Sequence, residues 1–369
     1  MNLVVVLMLW LHRFAKLLAA FTLLLVVAGG LVTSNGAGLS VPDWPNTFGQ
    51  FMFSFPLSKM VGGILYEHGH RLIATTGGGL TIVLAAWLWW KEPRVWVKRL
   101  GLVALAAVIV QGVLGGLTVL LLLPAPISVA HAGLAQLFFC LTVSLALFTS
   151  PGWRLAPGAA QNASSSSPFA ALAADRTLRR LTVITTAVVY VQILLGATMR
   201  HAWLDGARVT RLAIPDFPLA FGRLVPPLDL LATGQVAVHF AHRVVAVIVL
   251  CLILAIAWHV RHWHRSRGEL ARPAALLVAL AVLQIALGGL TVLTGKDVVV
   301  NTAHVAIGSL VLVTSLVLAL RTRRPLFDLR LVPVADETRM PVPGLQPARL
   351  GAQRSRAAST LARQVGGRA

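Results

Sequence analysis

The sequence predicts an all-α polytopic membrane protein, with eight transmembrane helices as two tandem, pseudo-symmetric four-helix bundles. Three observations predict this. Only 12% of the 369 residues are charged and 57% are hydrophobic, giving a mean hydropathy of +0.80, whereas a soluble domain carries about 25% charged residues. Several charge-free windows reach the roughly twenty residues a helix needs to cross a hydrocarbon core, and they lack the alternation of a membrane β-barrel. A set of motifs also recurs at a nearly constant offset along the chain.

Taken in order, the predicted spans are 15–33, 61–90, 98–122 and 128–149, then 179–199, 230–260, 272–294 and 301–320. They define an N-terminal segment 1–14, a first bundle 15–149, a linker 150–178, a second bundle 179–320 and a basic tail 321–369. The first eleven residues, MNLVVVLMLWL, precede His12, Arg13 and Lys16. They read as an extension of the first helix, an interfacial segment or a misplaced start. A cleaved signal is not expected, because its positive region would come before the apolar one. The linker carries Pro151, Pro157, Pro168 and a serine run from Ser164 to Ser167, the composition of a flexible connection. The proline- and arginine-rich tail is expected to be disordered and attracted to anionic lipid.

The formal charge of +20 follows topology. Arg13, Lys16, Lys91, Arg94, Lys98, Arg99, Arg154, Arg176, Arg179, Arg180, Arg261, Arg265, Arg267 and Arg272, with ten arginines of the tail, fall on one side of the predicted spans. Eight basic residues fall on the other. The positive-inside rule then places both termini in the cytoplasm of a cell (inner) membrane protein, and no nucleic-acid partner is expected. Cys140 and Cys251, the two cysteines, both lie deep in predicted spans, which excludes a disulfide framework in the outer loops.

The repeat sets the architecture. QGVLGGLTV at 111–119 recurs as QIALGGLTV at 284–292, an offset of 173. Val41-Pro42-Asp43-Trp44-Pro45 through Phe48-Gly49 recurs at the same offset as Ile214-Pro215-Asp216-Phe217-Pro218 through Phe221-Gly222. His70-Arg71 matches His242-Arg243, and His131 matches His304. With four helices per half, both halves enter from one side as a parallel repeat.

Of the eleven histidines, His70, His131, His242 and His304 stand apart. Each lies early in an even-numbered helix, so the two of each half sit at similar depth near the outer face. Ionisable groups in a membrane interior are costly and default to function. Imidazoles on two facing helices are the axial ligands an iron porphyrin takes in a bundle core. A histidine bonded to a helix-start carbonyl is the plainer alternative, and the paired repetition favours ligation. Gly77, Gly78, Gly79, Gly112, Gly115, Gly116, Gly288 and Gly289 remove bulk nearby, for helix packing or for a flat macrocycle. Arg71 and Arg243 are candidates either for haem propionates or for lipid phosphate. His259, His262 and His264 lie in a basic turn, where solvation or lipid contact is expected and metal binding is the alternative; His12 is read similarly, and His201 falls in an outer loop. Glu67 stands one helical turn before His70, where the second half has His239. His68 points to another face.

Glu67-His68-Gly69-His70-Arg71, AGGLVTSNGAGLSVPDWP at 28–45, QGVLGGLTV, and the HFAHR and NTAH motifs of the second half resemble the haem A synthase family over residues 16–320. The resemblance implies oxidation of the C8 methyl of haem O to a formyl group, making haem A for terminal oxidases. It implies a haem b cofactor on His242 and His304, a haem O substrate on His70 and His131, and Glu67 as the essential catalytic carboxylate. Pathway logic adds a haem O synthase, cytochrome oxidase subunits and an electron donor the motifs do not specify. Many bacterial relatives carry cysteine pairs in the outer loops, and SVPDWPNTFG and IPDFPLAFG have none. The competing expectation is a di-haem b-type electron-transfer cytochrome. The Glu67/His239 difference argues against it, since equivalent relay sites need no such asymmetry.

Overall fold

The computed structural model describes residues 3–154, 172, 175–199, 203–204, 207–208 and 212–329. Eight of its helices are long and apolar enough to cross a membrane. They are α1 (Leu3–Ser34), α2 (Gly63–Lys91), α3 (Val95–Leu120), α4 (Ala125–Phe148), α5 (Arg176–Met199), α6 (Gly234–Trp263), α7 (Gly268–Leu293) and α8 (Val298–Leu329). The shortest has 24 residues, or about 36 Å at the α-helical rise, which exceeds the roughly 30 Å of a bilayer core. The chain is a multi-pass membrane protein. Most of the linker, all of the tail beyond 329 and His201 lie outside the described residues.

Local chemistry sets the ends of these helices. Asp175 accepts the Leu178 N–H at 2.8 Å and caps the start of α5. Pro126 occupies the first turn of α4, where its missing N–H is no loss. The tight α3–α4 turn holds Leu122 and Leu123 at φ 58 and 61, and the matching α7–α8 turn holds Gly295 and Lys296 at φ 62 and 70. Among the described residues, two short strands, Trp203–Leu204 and Ala207–Arg208, pair antiparallel in the α5–α6 connection.

Helix α1 packs against α2 and α4, and α3 packs against the same two. Leu11, Ala15 and Leu18 of α1 meet Leu84, Leu88, Val97, Phe138 and Leu145 in one buried cluster. The segment before residue 15 is therefore continuous with the first helix and contributes to its core. In the second half, Val189, Ile253, Leu277 and Val311 bring α5, α6, α7 and α8 together. The halves meet along two seams. Helix α4 meets α5, with Gly133 beneath Tyr190 and Leu194. Helix α1 meets α8, where Asn301 and Thr302 each donate to Ser34 Oγ, at 2.9 and 3.0 Å.

Much apolar surface stays on the outside, including Val103, Ile109 and Val110 of α3. In water it would be a liability; against lipid it is the required face. Basic groups sit over tryptophans at one end, Arg13 on Trp10, Lys98 on Trp89 and Arg94 on Trp96, the amphipathic belt of a membrane interface. There the α2–α3 connection is pinned by Glu92, which accepts from Arg94 Nε at 2.7 Å and lies 3.5 Å from the Arg154 guanidinium.

Candidate functional site

Each of the four repeated histidines lies against a glycine of the helix that precedes its own. A Cβ on Gly29 would stand 3.2 Å from His70 Cε1, and one on Gly115 would stand 3.1 Å from His131 Cε1. The corresponding distances are 3.2 Å for Gly196 and His242 and 3.1 Å for Gly288 and His304. Such spacing is tighter than ordinary van der Waals contact, so the bare glycines let the rings lie close to the neighbouring backbone. Within each half the two imidazoles are in electrostatic reach of one another, His70 of His131 and His242 of His304.

Three of the four have a glutamine one turn before the glycine. Gln111 Nε2 donates to the His131 carbonyl at 3.0 Å, and Gln192 Nε2 donates to that of His242 at 2.8 Å. Gln284 Nε2 lies 3.3 Å from His304 Nε2. Their sequence signature is Q-x-x-L-G, at 111–115, 192–196 and 284–288. Reading the repeat from QGVLGGLTV alone passes over the α5 copy and the amide's role. In α1 the equivalent position, one turn before Gly29, is Leu25, so His70 has no such amide.

The glycines divide by neighbour. Gly116 lies under the Trp44 ring and Gly289 under Phe217, the aromatic that follows the aspartate in each outer loop. Gly77 faces Phe21, while Gly78, Gly79 and Gly112 have open space beside them.

The outer loops are built alike. Asp43 accepts the Phe48 and Gly49 N–H groups at 2.8 Å, and Asp216 accepts those of Phe221 and Gly222 at 2.8 Å. These bonds hold a turn whose two central residues have positive φ, 49 and 74 in the first loop and 57 and 74 in the second. Glycine takes the second position freely, while the phenylalanine is held there against a steric penalty of roughly 1–2 kcal/mol. Burial works against the Asp43 carboxylate, but the Gly49 and Phe48 amides outweigh it and hold its pKa below the ordinary value. For Asp216 the Gly222 amide leads, with the same outcome.

Arg71 and Arg243 clamp these loops onto α2 and α6. Arg71 donates to the carbonyls of Asp43 at 2.7 Å, Asn46 at 3.1 Å and Val41 at 2.7 Å. Arg243 donates to those of Asp216 at 2.7 Å, Leu219 at 2.7 Å and Ile214 at 3.5 Å, the equivalent positions. Propionate pairing would require these guanidinium groups to share or release loop carbonyls.

Glu67 is buried at 4% exposure. Its Oε2 accepts the Val41 N–H at 2.8 Å and its Oε1 accepts from Arg71 at 2.6 Å. In the second half His239 Nδ1 accepts the Ile214 N–H, at 3.2 Å. His68, on another face, bonds Thr47 Oγ1 at 3.0 Å within the first loop. His12 Nδ1 bonds the Ala146 carbonyl at 3.0 Å, joining α1 to the end of α4, and is not a solvated surface group.

Residues 50–317 match the profile of the cytochrome oxidase assembly protein family. The chain belongs to the haem A synthase family. It is 32% identical to a haem A synthase of Symbiobacterium thermophilum, over 73% of this chain and 82% of that one. It is 29% identical to the haem A synthase of Halalkalibacterium halodurans, over 82% and 95% of the two chains. A Shouchella clausii relative of the same name is 29% identical over 77% and 88%.

The residues fit a haem. Nδ1 of His70, His131 and His242 is buried without a hydrogen-bond partner, a costly state unless the ring has a further ligand to serve. Glycine beside each of the four rings lets the imidazole lie against the neighbouring helix backbone, which fixes the ring on its own helix pair. The donor set, two imidazoles from two helices in each half, is that of a six-coordinate haem.

Proposed function

We propose that this protein is a haem A synthase that oxidises the C8 methyl group of haem O to a formyl group. The observation that carries this reading is an asymmetry within a repeat. Two matched histidine pairs are set against glycines in the same way, and one of the two sites has a buried carboxylate, Glu67, where the other has His239. Similar scaffolds with one acidic difference suit one resident cofactor and one reacting substrate.

In this reading His242 and His304 hold a haem b, and His70 and His131 hold haem O as substrate. Iron-centred redox chemistry is what the bound haem b contributes. Glu67, with Arg71 bonded to it, supports the oxidation by taking a proton or by stabilising charge that develops near the methyl carbon. The clamps of Arg71 and Arg243 hold the two outer loops over α2 and α6. His70 lacks the glutamine that orients the other three ligands, which suits a site that must release its occupant. Arg71 and Arg243 remain our candidates for propionate partners. The distribution of basic residues supports cytoplasmic termini and haem sites near the outer face of the cell (inner) membrane. A haem O synthase upstream, oxidase subunits downstream and an electron donor complete the set of partners.

The test is haem analysis of membranes that express this chain together with a haem O synthase. Haem A, with haem b retained on the protein, is the expected result, and Glu67→Gln abolishes haem A while leaving the second-half haem bound. A normal haem A yield from Glu67→Gln would remove the catalytic role. Two haem b groups reduced by quinol, with no haem A, would make the protein an electron-transfer cytochrome.

A further inference from the structure

At the opposite end of α6 from His242, beside the start of α5, a second set of donor atoms converges. Nε2 of His259 and Nε2 of His264 each lie 2.8 Å from the same oxygen, Asp175 Oδ2. The three ligand atoms all fall within 4.8 Å of one another. The other carboxylate oxygen, Oδ1, is taken by the Leu178 N–H as the cap of α5. The side chains are largely withdrawn from solvent, at 14% exposure for His259, 7% for His264 and 13% for Asp175. A cavity of about 330 Å³ opens beside them, lined by Asp175, His259, Trp263 and His264.

The basic composition of this turn points to solvated or lipid-facing imidazoles, and the structure departs from that for two of the three. His262 stays outside, stacked on Trp258 at 5.6 Å, whereas His259 and His264 turn inward. The reason is a charge placed outside the turn: Asp175, 84 and 89 residues away in sequence. The cluster is also private to one half. In the register that aligns His70 with His242, Trp87 stands at the position of His259.

We propose that Asp175, His259 and His264 form a binding site for a divalent transition-metal ion of the zinc class. Two imidazole nitrogens and one carboxylate oxygen are a set these ions select. The three atoms lie close enough to share one ion, which would take the place of the two histidine–carboxylate hydrogen bonds and draw each atom into a bond of about 2.0–2.2 Å. The cavity leaves space for water as a fourth ligand. Such an ion would tie the first residue before α5 to the last turn of α6 and to the chain beyond it, at the membrane surface opposite the outer loops.

The test uses the full-length, haem-loaded protein in detergent, stripped with a chelator and titrated with Zn²⁺ against a chromophoric competitor. The expected result is one tight equivalent in the wild type, lost in His259→Ala and in His264→Ala and retained in His262→Ala. Asp175→Asn keeps a helix-capping oxygen and should weaken that equivalent by about tenfold or more. Haem content and thermal unfolding of each variant show whether it is folded. Equal zinc stoichiometry in all four variants and the wild type overturns the proposal, because the metal then sits elsewhere. So does a wild type that binds no zinc, even if Asp175→Asn lowers its melting temperature; the trio is then a hydrogen-bonded latch.

Discussion

His239 Nδ1 accepts the Ile214 N–H, occupying the position from which Glu67 holds the Val41 N–H in the other half. The two residues thus share one mechanical task, securing the outer-loop backbone at Val41 and at Ile214 to the helix below. Glu67→Gln retains an acceptor oxygen and should leave the first loop anchored. Glu67→Leu strands a buried N–H and should lower stability by about 1–3 kcal/mol. Thermal unfolding in detergent separates the two variants, and equal melting temperatures for Gln and Leu would show that the anchor does not matter.

Gly288 and Gly112 make a matched pair for a second prediction. Alanine at Gly288 places a methyl 3.1 Å from the His304 ring, while alanine at Gly112 meets nothing within 4 Å. Gly288→Ala should shift the Soret band or reduce haem retention after purification. Gly112→Ala should leave both unchanged and raise helix stability by up to about 1 kcal/mol. Identical spectra for the two variants would deny the close approach of imidazole and helix backbone.

Leu122 adopts a left-handed conformation in the α3–α4 turn, and the equivalent turn has Gly295 there. Leu122 is 73% exposed, so little packing offsets its backbone strain. Leu122→Gly should stabilise the protein by up to about 1 kcal/mol, the gain from a relaxed φ less the added freedom of the unfolded chain. Gly295→Leu should destabilise by a similar amount. Melting curves of the two single variants check the opposite signs.

Burial disfavours the charged form of Glu92, but the Arg94 hydrogen bond and charge and the Arg154 charge prevail, and its pKa lies below the ordinary carboxylate value. A carboxylate depressed in the folded state adds stability above its unfolded pKa, about 4.3, and loses it as pH falls through the lower folded value. Wild type should therefore exceed Glu92→Gln in stability by about 1.5–3 kcal/mol at neutral pH. The gap should close on acidification below about pH 4. A gap independent of pH would indicate that shape, not charge, joins α2 to α3.

The eight helices were legible because a span is a property of composition, and charge-free runs cannot hide. Their ends were less so: α1 begins by Leu3 and runs on through Arg13 and Lys16, because Leu11, Ala15 and Leu18 pack into the core across that basic stretch. The repeat offset aligned Asp43 with Asp216 and Arg71 with Arg243, yet it did not reveal what they bond. Both arginines hold loop carbonyls, and a backbone acceptor leaves no mark in sequence. The Q-x-x-L-G copies in α3, α5 and α7 were visible as letters; their meaning required knowing that each glutamine reaches a histidine about 20 residues on in α3 and α7, and 50 in α5. His259 and His264 were misjudged as surface groups, since the aspartate that draws them in belongs to a distant segment.

Every glycine–histidine contact joins a helix to the next one in the chain: Gly29 to His70, Gly115 to His131, Gly196 to His242 and Gly288 to His304. Each imidazole's seat against glycine is therefore formed within a two-helix hairpin. During biogenesis a hairpin that has just entered the bilayer can settle its imidazole against its own partner helix. Association of two hairpins then only has to bring two seated imidazoles together.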